Sequence, residues 1–390
     1  TLGEPLSTRL ARDGVELDTV RAAATASRWP ASKPLPEWVD LIADLVSYLD
    51  ERSVDLLDSD DPFDTFHAAV AAFGRSRLSL PTDETITENA VTTAVDWLRS
   101  RVAQLSVRIL YVEFKTFVAR HDEELAFADS SAFDDPPTEL YGQFLTGLFG
   151  DGFKRLCLEY PVYSRLLAMR LNQWCVALRA LFDRLSNDRA ALADRFNSGD
   201  PLGDVTDVAP LADDTHGDGR AVVAVTFESD TRIVYKPRPI EGMVSFYGLL
   251  DRLDRHLSVP SFDQPRWLQR DGYGYVEWIE HHEAEDDAAA DRYYRRAGSL
   301  GCLSYAFEFE DCHFENLIAA GEQPLLIDGE TFLAPYVEPS TREIPEQIAP
   351  IVDETVHASM LLPFGIDLLG NDGELGQAGM SGIGTDSDRV

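Results

Sequence analysis

The chain has 390 residues, 44% of them hydrophobic, which is enough for a large core and predicts two domains rather than one. Its formal net charge is -34 with a pI near 4.4, and the acids are scattered through the chain rather than gathered in a tail, so nucleic acid is not an expected partner. No stretch approaches the roughly 20 apolar residues of a membrane span. Thr1-Leu-Gly-Glu-Pro5 lacks the basic and apolar regions of a signal peptide, and the expected location is cytoplasmic. Lysine occurs only at Lys33, Lys115, Lys154 and Lys236, while arginine is common. An acidic, arginine-for-lysine surface points to a halophilic protein whose self-repulsion is screened by salt; the alternative is an acidic face that recruits a basic peptide. Cys157, Cys175, Cys302 and Cys312 show no CxxC pairing and read as buried thiols rather than a zinc cluster or a disulfide framework.

In chain order, helical spacing comes first. Trp38, Leu41, Leu45 and Leu49 form one apolar stripe. Leu98, Val102, Leu105, Ile109 and Val112 form a second, and Leu167, Leu171, Trp174, Leu178, Leu181 and Leu185 a third. Pro34, Pro36, the stretch from Asp58 to Asp64, and Pro136-Pro137 punctuate them as loops. The period changes after Asn197-Ser-Gly-Asp-Pro201: Val223, Val225 and Phe227, then Ile233 and Tyr235, alternate on either side of Ser229-Asp230, predicting a two-stranded hairpin. A strand is expected over Tyr273 to Ile279 and a helix over Arg292 to Phe307. Residues 311–333 read as loop, strand, turn at Gly321, strand. The expected organisation is a helical region over residues 1–200 and a kinase-like core over 201–390.

The chemistry concentrates near the end of that series. Asp311, His313 and Asn316 stand in Asp311-Cys-His-Phe-Glu-Asn316, and Leu325-Leu-Ile-Asp-Gly-Glu-Thr331 follows. Phosphoryl transfer needs a carboxylate near the attacking hydroxyl, an amide oxygen on a Mg2+ ion, and a second carboxylate on the metal. Asp311 precedes Asn316 by the spacing of a kinase catalytic loop, and Asp328 stands where a strand-borne metal ligand is expected. His313, between the two, is a candidate proton-transfer group. Upstream, Thr215-His-Gly-Asp-Gly-Arg220 opens the hairpin and Lys236 closes it in Val234-Tyr-Lys-Pro-Arg-Pro239. Gly217 and Gly219 would let backbone N–H groups approach phosphates, and Lys236 would supply a point charge between them. In a chain nearly emptied of lysine, one kept between apolar strand residues favours such a contact over a solvated one. Arg238 reads either as a phosphate contact or as a solvated strand-end arginine. His216 reads either as a proton-transfer group or as a hydrogen-bonded structural residue.

Asp214-Thr-His-Gly-Asp-Gly-Arg220, Val234-Tyr-Lys-Pro-Arg238, Tyr294-Arg-Arg-Ala-Gly298, Asp311-Cys-His-Phe-Glu-Asn316 and Leu326-Ile-Asp-Gly-Glu-Thr331, in that order, resemble the dehydratase domain of class II lanthipeptide synthetases, the LanM enzymes. The stretch from Tyr160-Pro161 to Leu185 is similar to that family's helical lead-in, so the resemblance covers about residues 35 to 390. It implies an α+β chain whose helical N-terminal region precedes a two-lobed, lipid-kinase-like catalytic core. It also implies use of ATP and Mg2+ to phosphorylate Ser and Thr of a precursor peptide that carries a leader, followed by elimination of the phosphate. Carried over, Lys236 and the turn of Gly217, Gly219 and Arg220 would hold the ATP phosphates, and Asp311 and His313 would serve transfer. Asn316, Asp328 and Glu330 would bind metal. Asp214 and His216 would assist phosphorylation, elimination or both.

The chain departs from the family in three respects. Gly329 stands where a bulkier apolar residue is expected. The family's Arg and Thr elimination motif and its zinc-binding cyclase ligands are not found before Val390. The glycines from Gly370 to Gly384 close the chain without the helices that would cover a lower lobe. A fragment of a longer protein, ending within a domain, is therefore expected. Two further readings stay open: a kinase-fold phosphotransferase for another substrate, and a catalytically inactive, peptide-binding fragment.

Overall fold

In a computed structural model, residues 14–26, 33–52, 61–79, 85–127, 138–211, 217–256, 260–309 and 316–329 are described, with Leu10, Val54, Leu56, Ser59, Cys312, His313, Thr331, Phe332 and 359–362. The chain divides into two compact units, residues 1–55 with 134–169, and residues 56–133 with 170–390. The first is helical among its described residues. It contains α1 (Leu17–Ala26), α2 (Glu37–Asp50), α6 (Glu139–Gly147), a π-helical turn (Leu148–Gly152), α7 (Phe153–Glu159) and the first turns of α8 (Pro161–Phe196). Ile42, Leu45 and Leu49 are buried on α2, one step along from part of the stripe expected there, and α2 packs on the π-helical turn. Pro161 opens α8, where a missing N–H costs no helical hydrogen bond.

The second unit holds α3 (Asp64–Arg77), α4 (Glu88–His121), α5 (Glu123–Phe127) and the rest of α8, and then the strands. Thr87 caps α4 by accepting from the Ala90 N–H. Its own hydroxyl donates to the Val205 carbonyl at 3.0 Å, and Asn89 donates to Thr206 at 2.9 Å, which lays the helix start along β1 (Val205–Pro210). The buried face of α4 runs through Ala94, Leu98, Val102, Ser106 and Leu110, so the expected stripe is right at its start and drifts at its end: Val112 is exposed. From Leu171 to Leu185 every apolar position of the third stripe is buried, and the Trp174 indole donates to the Ala94 carbonyl at 3.0 Å.

Strands β1, β2 (Val223–Phe227), β3 (Arg232–Lys236), β4 (Trp267–Arg270) and β5 (Tyr273–Glu277) form an antiparallel sheet in the order β1-β2-β3-β5-β4. The β2–β3 hairpin turns at Ser229-Asp230, as expected, with Asp230 at φ 61°. Helix α9 (Glu241–His256) connects β3 to β4. Helix α10 (Asp287–Ala306), capped by the Asp286 carboxylate on the Ala289 N–H, leads to the hairpin of β6 (Leu317–Ala320) and β7 (Gln323–Leu326), which turns at Gly321. The core beneath this hairpin is made of Met243, Phe246 and Tyr247 from α9 with Leu300, Phe309, Leu317, Leu326 and Phe332. Phe246 sits edge-on to Phe309 and Phe332 at centroid distances of 5.1 and 5.5 Å. The fold is α+β with a helical N-terminal region. Cys312 is the fully buried thiol; Cys157 and Cys175 are half-buried and Cys302 is exposed, which corrects the expectation of four buried thiols. Among the described residues no helix is long and apolar enough to cross a membrane.

One buried group gives this unit a pH dependence. His67 on α3 is 1% exposed, neither ring nitrogen has a hydrogen-bond partner among the described residues, and burial pushes its pKa down to about 4 against the favourable pull of Asp64. Its folded pKa lies below its unfolded value, so the unfolded chain takes the proton first. Stability contributed by neutral His67 is full above the ordinary histidine pKa and is lost as pH falls from about 6.5 toward 4, by about 3 kcal/mol in all. Urea unfolding across that range is expected to show the loss, and His67→Leu to flatten it. An equal slope in the variant contradicts this account.

Candidate functional site

The site is built where the end of β3 meets the segment that leaves β7. Adjacent strand residues point to opposite faces, so Tyr235 and Lys236 part company at the end of β3. On the Tyr235 face the sheet is fixed to α8 by a polar network. Arg184 donates to the Tyr235 hydroxyl at 2.5 Å and stacks 4.1 Å from the Tyr273 ring centroid. Asp188 accepts from Arg270 Nε at 2.6 Å and from the Tyr273 and Tyr275 hydroxyls at 2.8 and 3.0 Å. Burial, then Asp188, raises the Tyr273 hydroxyl to about 12, and the same causes raise Tyr275. Both phenols remain hydrogen-bond donors to the carboxylate at ordinary pH.

On the other face Lys236, 6% exposed, donates to the Ile327 carbonyl at 2.5 Å and stands 3.7 Å from Oδ1 of Asp328. Burial lowers the pKa of this ammonium and the Asp328 charge opposes the shift. Arg238, two residues on, donates Nη2 to Oδ2 of Asp328. The side chains of Lys236, Arg238 and Asp328 are 8%, 15% and 19% exposed, so the one carboxylate is shared between two cations with little help from water. Of the two readings of Arg238, the solvated one does not hold. In protein kinases the strand lysine pairs with a glutamate of the following helix. Here Lys236 meets Asp328 instead, and Glu241 at the start of α9 accepts from Gln269 at 3.0 Å.

Asp328 is not on the strand, as expected from the sequence, but two residues beyond it. Its place is set from both sides. Ile327 N–H donates to the Asn316 carbonyl at 2.9 Å, and Tyr247 reaches the Leu326 carbonyl at 2.9 Å from within the core. Gly329 lies against the first turn of α9: a Cβ there would fall 2.7 Å from Met243 Cα and 2.8 Å from its nitrogen. The bulkier residue expected at this position has no room, and glycine is what lets the Asp328 backbone approach the helix. Asn316 Nδ2 lies 3.3 Å from His313 Nε2 and its N–H donates to the His313 carbonyl at 3.0 Å. Cys312 N–H donates to Ser359 at 2.8 Å, anchoring the start of the loop.

The structure thus brings Lys236, Asp328 and Asn316 into one neighbourhood, with His313 against Asn316. Asp214, His216, Asp311 and Glu330 lie outside the described residues. Gly217 and Gly219 form a tight turn with Asp218 at φ 64°, at the sheet end that carries Lys236 but bordering the Tyr235 face. Gly219 approaches Gln173 of α8 so closely that a Cβ would fall 2.7 Å from the glutamine Cβ. Arg220 lies 3.8 Å from Asp218. A cleft of about 70 Å3 beside this turn is lined by Trp97, Val176, Arg184, Arg220 and Tyr235 among others, and none of Lys236, Asn316 or Asp328 borders it. The Asp328 carboxylate oxygens lie in the charged cluster and not in this cleft.

Among the described residues no group of three His, Cys, Asp or Glu side chains is placed to hold a metal. A magnesium ion needs no such group: it keeps several waters and takes one or two protein oxygens plus phosphates. The carboxylate oxygens of Asp328 and the side-chain amide oxygen of Asn316 are hard donors of the kind such an ion takes.

Residues 160–390 match the family model described as a domain of unknown function, DUF4135, over more than half of the chain. The chain belongs to the DUF4135 family. It is also 26% identical over 238 residues to the lacticin 481/lactococcin biosynthesis protein LcnDR2 of Lactococcus lactis subsp. lactis. That match spans 57% of this chain and 25% of the relative. Together these matches bear out the resemblance to class II lanthipeptide synthetases read from the motifs. The DUF4135 match contains every residue of the charged cluster and all strands of the sheet.

Proposed function

We propose that this DUF4135 chain is the phosphorylating part of a lanthipeptide dehydratase, with a kinase-like core that uses ATP and Mg2+ to phosphorylate Ser and Thr of a leader-bearing precursor peptide. The observation that carries the reading is the meeting of Lys236 and Asp328, from segments some 90 residues apart, in a buried charged cluster beside Asn316. The antiparallel sheet with Lys236 at its end, followed by a hairpin that delivers Asp328, supports a kinase-like arrangement. The relative's printed role in lantibiotic biosynthesis supports the peptide substrate.

Asp328 and Asn316 would hold the metal, which when bound supplies charge neutralisation on the phosphates. Lys236, whose charged form Asp328 favours against the effect of burial, would bind the same phosphates. The serine or threonine oxygen bonds to the γ-phosphorus while the bond from that phosphorus to the bridging oxygen breaks, and ADP leaves with the electron pair. The hydroxyl proton passes to Asp311, the role the resemblance gives it. In the whole protein, loss of the α-proton and of inorganic phosphate would then give dehydroalanine or dehydrobutyrine.

Mass spectrometry of a precursor peptide incubated with the full-length protein, ATP and Mg2+ tests the reading. Gain of about 80 Da per site, or water loss in its place, is expected, since one phosphoryl group is added or has already departed. A peptide unchanged by protein that binds it refutes the proposal. Stable phosphate on a different acceptor supports a phosphotransferase of other specificity.

A further inference from the structure

Arg238 stands between Pro237 and Pro239, directly after the strand that carries Lys236. Each proline fixes its own φ, and Pro239 also disfavours the helical region for Arg238, so the guanidinium is presented from a stiffened backbone. It donates to Oδ2 of Asp328, while Oδ1 of the same carboxylate faces the Lys236 ammonium at 3.7 Å. Lys236 is held additionally by the Ile327 carbonyl at 2.5 Å; Arg238 is the less buried of the two cations.

We propose that Arg238 is a positioning residue that holds Asp328 in place when no metal is present and passes to the nucleotide's phosphates when a divalent cation takes the carboxylate. This rests on the nucleotide-site reading above. The oxygen that Arg238 engages is one that a hard divalent cation would use, and a guanidinium left beside a doubly charged ion is repelled. The planar fork that fits a carboxylate fits a phosphate equally well, so the displaced side chain has an anion to receive it within the same site. Without Arg238, Oδ2 of this poorly hydrated carboxylate would lose that charged donor, while Oδ1 still faces Lys236.

The test uses two probes on the full chain: Mn2+ alone, followed by electron paramagnetic resonance, and ATP with Mg2+, followed by calorimetry. In Arg238→Gln, Mn2+ is expected to bind as tightly as in the wild type or several-fold tighter, because a competing cation is gone. ATP with Mg2+ is expected to bind about ten- to a hundredfold more weakly, the worth of a charge-assisted hydrogen bond. Arg238→Lys keeps the charge and loses the fork, and should show the same split in smaller measure: unchanged Mn2+ affinity and several-fold weaker ATP. A purely structural ion pair would weaken both probes in step, and that result, or unchanged ATP affinity in Arg238→Gln, overturns the inference. A wild-type chain that binds neither probe refutes the nucleotide site itself and the inference with it, so the wild type is measured first.

Discussion

Asp328→Asn is expected to cut phosphorylation of the precursor peptide by about a thousandfold or more, roughly 4 kcal/mol of lost transition-state stabilisation. The amide keeps the shape of the side chain and removes its charge, and the charge does two things. On the proposed reading it would supply the metal's carboxylate oxygen, and it holds Lys236 and Arg238 together in a place where their side chains are 8% and 15% exposed. The second role gives the variant a stability cost as well, about 3 kcal/mol for two buried cations that lose the Asp328 charge. Burial already lowers the Lys236 pKa, and loss of the Asp328 charge lowers it further. Urea unfolding measures the cost directly. Adding Arg238→Gln to Asp328→Asn removes the repulsion and should restore part of the stability while leaving the reaction dead. A double variant that regains activity would show that Asp328 serves the fold alone.

Gly329→Ala is the second large effect, and its cause is steric. The new methyl would sit 2.7 and 2.8 Å from backbone atoms of Met243, which cannot rotate out of the way as a side chain can. Either the first turn of α9 or the chain at Asp328 must move, at about 1–3 kcal/mol. Because Asp328 is the preceding residue, a displacement approaching 1 Å would reach its carboxylate and reduce the phosphorylation rate by about a hundredfold. Gly298→Ala is the control. Gly298 lies within α10, nothing stands within 4 Å of its added Cβ, and alanine there should stabilise the chain by about 0.5–1 kcal/mol with no change in rate. Equal behaviour of the two variants in unfolding and turnover would contradict the close approach.

The contrast between those two glycines shows how much the sequence can say. The local elements that follow from side-chain period and turn chemistry were legible: the third helical stripe, the hairpin at Ser229-Asp230, the turn at Gly321. Each depends on residues close in the chain. Strand β1 was not legible, because its Thr206 and Asp207 answer to α4 rather than to an alternating pattern: Thr93 donates to Asp207 at 2.8 Å. Helix α9 begins beside Pro239 and carries Gly242 and Gly248, which weaken its local signal, and its apolar face is defined by the β6–β7 hairpin it covers.

The site divides in the same way. Lys236, Asn316 and Asp328 could be singled out by residue type and spacing, and the structure brings them into one neighbourhood. The partner that Arg238 finds could not, since nothing near Arg238 in the chain points to a carboxylate 90 residues later. Nor could spacing decide which face of the sheet the glycine turn would border; the fit of Gly219 against Gln173 decides it.

On the proposed function Lys236, Asn316 and Asp328 form a magnesium-dependent nucleotide site. Calorimetric titration of ATP into the full chain, once with Mg2+ and once with a chelator, tests it most directly, with Asp328→Asn as the comparison. We expect saturable binding that needs Mg2+ in the wild type, and in the variant the loss of that metal dependence. No binding by folded wild-type protein, or identical binding with and without the metal, would contradict it.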